Sequence, residues 1–148
     1  MIQEGGEKQK MKRSRGFTLI EMLVVIGIIG ILAAIVLIAV NPGRQFSLAR
    51  DTQRRSDLYS VTNAVYQYAV DNNGNLPSSI TETPTHIGTG TGLINLLTDL
   101  APTYIADIPY DPSTGTPADT QYVIFKDANG RIVASASGEI AATITVQR

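Results

Sequence analysis

The chain has 148 residues and a net charge of −1, with no cysteine and a single histidine, His86. Disulfides, zinc–thiolate centres and thiol nucleophiles are therefore excluded, and so is any multi-histidine metal site. The charge is uneven along the chain: residues 1–16 sum to +3, residues 41–70 to +2 and residues 71–148 to −5.

Residues 1–16 are polar and basic, carrying Lys8, Lys10, Lys12, Arg13 and Arg15, and they read as a cytoplasmic leader; Met11 is an alternative start. From Met22 to Val40 no residue is charged and nearly all are apolar. At ~1.5 Å per residue such a run reaches about 28 Å as a helix, close to the ~30 Å hydrocarbon core of a bilayer. It is too long for the apolar region of an ordinary secretory signal. The basic leader places the N-terminus in the cytoplasm.

Asn41-Pro42-Gly43 interrupts the helix, because proline lacks an amide donor and crowds the preceding turn; a kink is expected at Pro42. Helical spacing resumes over 41–72, with Leu58, Val61 and Val65 on one side. Arg50, Asp51, Arg54, Arg55 and Asp57 are read as its wet face. Asp71-Asn72-Asn73-Gly74 ends the helix. Residues 72–92 read as a long surface loop, and Gly92–Ile105 as holding a short helix with Leu93, Leu96, Leu97 and Leu100 on one side. Asp107–Pro117, with three prolines, is turn.

Gln121–Lys126 and Arg131–Ser137 flank Asp127-Ala128-Asn129-Gly130, a hairpin signal. Glu139–Arg148 alternates, with Ile140, Ala142, Ile144 and Val146 on one face. The expected fold is α+β: a long N-terminal helix, its second half packed on about three antiparallel strands within 73–148.

Glu21 is the one carboxylate at the head of the apolar run. At a bilayer centre a charged side chain costs roughly 2.5–3.5 kcal/mol on insertion scales, so it must find water or a partner. An interfacial acid and a paired acid are both open at this point. The surrounding Arg15-Gly-Phe-Thr-Leu-Ile-Glu21 resembles the leader signal of type IV pilins and type II secretion pseudopilins. The resemblance covers residues 12–40 closely and the following helix loosely.

That resemblance implies cleavage between Gly16 and Phe17 by a prepilin peptidase, and N-methylation of Phe17. It implies that Glu21 neutralises the terminal amine of a neighbouring copy during assembly. An α-amine, with a reference pKa near 8, is mostly cationic at neutral pH and needs such a counter-charge among apolar helices. The implied partners are further copies of the chain, minor pilins, the prepilin peptidase, an assembly platform protein and, before assembly, the membrane. The implied locations are a single-pass cytoplasmic membrane protein and then an extracellular or periplasmic filament.

Gly27, Gly30 and Ala34 share a helical face and suit close helix packing. Many type IV pilins carry a proline at the position of Ile38; here the nearest is Pro42. Many also close their C-terminal region with a disulfide, which this chain cannot form.

Other signals are weaker. Asp107, Asp111, Asp119 and Asp127 are better read as turn-forming acids than as calcium ligands, and no cofactor is expected. His86 lies in a Thr/Gly-rich loop and reads as solvated. Arg50, Arg54 and Arg55 are read as facing water, acidic neighbours or lipid headgroups rather than DNA phosphates. No nucleophile–base pair or phosphate loop is present, so an enzyme is not expected. The leading reading is a filament subunit; a short periplasmic pseudopilus and an uncleaved, membrane-anchored binding module are the alternatives.

Overall fold

The structure, a computed structural model, describes residues 16–148. The leader expected over 1–16 lies outside them except for Gly16. The chain divides into two compact units that meet between Asn41 and Pro42.

The first unit is helix α1, Leu19–Val40. It starts where Thr18 caps it and ends at Asn41, whose φ of 45° is left-handed. Every residue of α1 is exposed. It is long and apolar enough to cross a membrane.

The second unit, Pro42–Arg148, begins with helix α2, Pro42–Asp71. Proline at the first helical position forfeits only an amide that would be orphaned anyway. Asn73 and Gly74, both at positive φ, close the other end, and the Gly74 amide returns to the Ala69 carbonyl.

The sheet is antiparallel in the order β1-β2-β3-β4, with β1 at Thr85–His86, β2 at Tyr122–Lys126, β3 at Ile132–Ser137 and β4 at Thr143–Gln147. Helix α3, Leu97–Leu100, lies between β1 and β2 in the chain. The pairs Ile124↔Ala134 and Ala134↔Val146 set the register and send Tyr122, Ile124, Ile132, Ala134, Ala136, Ile144 and Val146 to one face. Against it α2 lays Leu58, Val61 and Val65, all fully buried.

The α+β architecture thus holds, with four strands instead of three. The extra strand falls inside the expected 72–92 loop. It has only two residues and no alternating pattern, and exists because Thr85 and His86 find Ile124 and Val123 across from them. The same segment buries Pro77, Ile80 and Ile87, so it is not merely a surface loop. The helix expected in Gly92–Ile105 shrinks to α3; Leu96 and Leu100 are buried, whereas Leu97 is exposed. Ile140 does not continue the β4 alternation but sits exposed in the β3–β4 loop.

The larger correction concerns α2. Asp51, Arg54 and Asp57, expected on a wet face, are buried. They continue the phase of the Leu58–Val61–Val65 stripe toward the helix start, and each is satisfied by a partner on the sheet side.

Candidate functional site

Two places concentrate polar chemistry: the start of α1, and the junction between α2 and the loops of the head.

At α1, Glu21 and Thr18 form a reciprocal capping box. The Glu21 carboxylate oxygen Oε2 accepts from the Thr18 backbone N–H at 2.7 Å and from its hydroxyl at 3.0 Å. The Thr18 hydroxyl oxygen accepts the Glu21 N–H at 3.2 Å. These bonds satisfy the first turn's amide at Glu21 and hold the acid where the helix macrodipole is positive. Both Thr18 donors fall on Oε2, and Oε1 takes no hydrogen bond among the described residues. Phe17, immediately before the cap, is 80% exposed. Sequence reasoning singled out Glu21 and passed over Thr18, although Thr-x-x-Glu ahead of an apolar run is itself a capping signal.

Gly27 and Gly30 stand in open space, where an added Cβ would touch nothing within 4 Å. Nothing among the described residues therefore requires them to be small.

In the head, Arg54 is the hub of an ion cluster. Its Nε and Nη2 grip Asp111 at 2.5 and 3.2 Å, and its Nη1 reaches Asp51 at 2.9 Å and Glu139 at 3.1 Å. Arg50 adds a bond from Nε to Glu139 at 2.6 Å. Asp51 also fills a nest of three successive amides, Glu139, Ile140 and Ala141, at 2.8, 2.9 and 3.3 Å. Gly138 lets this loop close, since a Cβ there would stand 2.1 Å from the Ala141 carbonyl oxygen.

Burial alone would raise the Asp51 pKa, but the three amides and Arg54 outweigh it and hold it at about 2. Asp111 follows the same logic, burial opposed chiefly by Arg54, and is lowered. Glu139 is lowered first by Arg50. Further along α2, Asp57 accepts from the Tyr122 hydroxyl at 2.7 Å and from the Gln53 amide at 2.7 Å. Burial, then Asp57, pushes the Tyr122 pKa up.

A cleft of about 660 Å³ opens beside this cluster, lined by Arg50, Arg54, Asp111, Ser113 and Glu139 among others. Its charged groups are already spent on one another. They tie α2 to the Asp111 turn and to the β3–β4 loop, and Arg54 is withdrawn from any phosphate outside.

His86 is on β1, half-buried, with Nδ1 2.9 Å from Asp119 Oδ1; it is not a solvated loop residue. Ser135 and Ser137 line the same small cleft, but no serine hydroxyl hydrogen-bonds the imidazole among the described residues. The four aspartates weighed as calcium ligands are dispersed. Asp111 holds Arg54, Asp119 holds His86 and Gln121, Asp127 caps the hairpin and holds Arg131, and Asp107 accepts the Ile108 amide. No group of three or more metal-ligating side chains is found among the described residues.

An exposed apolar helix headed by a capped acid, just after a basic Arg-Gly-Phe, matches one known signature. Residues 11–37 carry the prokaryotic N-terminal methylation motif. It is the signal of type IV pilins and pseudopilins. The methylation motif covers part of the leader and most of α1, and none of the head. Proteins that bear it are structural rather than catalytic. No curated protein and no solved structure matches the chain.

Proposed function

We propose that this chain is a structural subunit of a type IV pilus-like filament. A prepilin peptidase cuts between Gly16 and Phe17, Phe17 is N-methylated, and α1 leaves the cytoplasmic membrane to become part of a filament core. The chain works with copies of itself, with minor pilins and with an assembly platform; it carries out no catalysis and needs no cofactor. The observation that carries this reading is the methylation motif lying across the start of an apolar helix that its own chain leaves bare.

In the filament Glu21 meets the freed amine of a second copy. Charge neutralisation in a low-dielectric core offsets the cost of admitting either ion, and the pair fixes the axial offset between copies. Gly27, Gly30 and Ala34 form the close-packing face, and the kink expected at Pro42 falls at the joint between the helices.

Mass spectrometry of the purified native chain tests processing: it should begin at a methylated Phe17, and a chain retaining residues before Phe17 overturns the reading. Gly16→Leu is expected to block that trimming. Glu21→Ala should leave insertion and cleavage intact and abolish filaments scored by electron microscopy after shearing. Filament length in the same images separates a pilus from a short periplasmic pseudopilus.

A further inference from the structure

We infer that the first two turns of α2 are a lipid-interface anchor, embedded in the headgroup region while the subunit waits in the membrane. The inference rests on the reading that α1 spans the bilayer.

From Pro42 to Ala49 no residue is buried, whereas from Asp51 onward α2 buries a side chain every three or four positions. Apart from Ser47, which is half-buried and hydrogen-bonds Glu139, this short stretch of the head unit is exposed. It is not polar: Phe46 is 64% exposed and Leu48 37%. At 100° per residue these two stand about 200° apart around the helix. One docked protein surface covers one side of a helix and would leave the other apolar group in water. A surrounding medium covers both.

Position along the chain permits this. Residues 42–46 are helical, rising about 6 Å, and the join from Val40 to Pro42 adds at most about 7 Å. Phe46 therefore lies within about 13 Å of the end of the span, whatever the angle between the helices. The boundary layer beyond the hydrocarbon core is about 5–8 Å thick on each side, and long side chains reach further into it.

The chain contains no tryptophan, so a single indole reports one place. The test places Phe46→Trp, Leu48→Trp, Ile31→Trp (mid-span) and Tyr110→Trp (head) separately in the full chain, reconstituted at high lipid dilution. Emission wavelength is read, together with quenching by lipids brominated near the carbonyls or deep in the acyl chains. Both α2 indoles should be blue-shifted from the Tyr110 one and quenched more by shallow than by deep bromines, with the reverse order for Ile31→Trp. If Ile31→Trp is quenched but the α2 indoles match Tyr110→Trp, the anchor is wrong and the span stands. If Ile31→Trp is not quenched, the span reading fails and takes the anchor with it. A shift at one α2 site only, growing with protein density, would mean that a second copy covers it and would equally overturn the anchor.

Discussion

Glu21 has two possible duties, and the atoms separate them. Its oxygen Oε2 serves its own chain through Thr18, and Oε1 takes no hydrogen bond among the described residues. If capping were its whole role, charge would matter only through the helix macrodipole, by about 0.3–1 kcal/mol, because glutamine also closes a capping box. Glu21→Gln is therefore the discriminating substitution. We expect it to insert and be trimmed as wild type, with filament yield lost, since a neutral amide cannot offset an ammonium in an apolar core. Filaments at wild-type yield would reduce Glu21 to a cap. Thr18→Val removes the hydroxyl but keeps the backbone donor and the charge. It should cost the helix start about 1 kcal/mol and lower filament yield only in part, and Thr18→Ser should restore it.

At the scale of the element, α2 is held to the head by two materials in one stripe: aliphatic side chains from Leu58 onward, and paired charges before it. Arg54→Met leaves Asp51 and Asp111 with their backbone amides but without a buried counter-charge. Loss of one partner from such a cluster costs about 3–5 kcal/mol, measurable as a fall in the urea midpoint of unfolding. Asp51 also gives the head a pH signature. Its folded pKa, about 2, lies below the ordinary aspartate value near 3.9, so the folded state binds fewer protons between them. Stability from this group is fully present above about pH 5 and is lost as pH falls toward 2. Asp51→Asn should lower stability at neutral pH and flatten that acid decline; an unchanged decline would assign it to other carboxylates.

This stripe also shows where the sequence was legible. The apolar run, the break at Asn41-Pro42 and the Asp127–Gly130 turn depend on neighbouring residues alone, and were readable. Asp51, Arg54 and Asp57 are charged, which points to water, yet they fall in step with Leu58, Val61 and Val65, the position of a buried face. The partners of Arg54, Asp111 and Glu139, lie 57 and 85 residues away, and Tyr122 lies 65 from Asp57, beyond any local pattern. The Asp119–His86 contact and the two-residue β1 were hidden for the same reason. At the helix start both the position of Glu21 and its bonding to Thr18 are written locally, the latter as a Thr-x-x-Glu capping signal.

For the whole molecule, the hydrophobic core draws its residues from Leu58 to Val146 and none from α1. Every residue of α1 is exposed. The two units therefore suit two solvents, hydrocarbon for one and water for the other, and they should be separable. A chain trimmed to begin at Pro42 is expected to stay soluble without detergent and to sediment as a monomer. Its urea midpoint should correspond to a stability within about 0.5 kcal/mol of the full chain's head in detergent, the size of an ordinary surface change. The full chain should need detergent or lipid to remain dispersed, because burying a bare apolar helix against other copies is favoured by roughly 25 cal/mol per Å² removed from water. A trimmed head that unfolds, or loses several kcal/mol, would show that α1 completes the fold instead of serving partners outside it. Intact stability of the head, together with loss of filaments on trimming, would place association in the first helix and leave the head free to vary its surface.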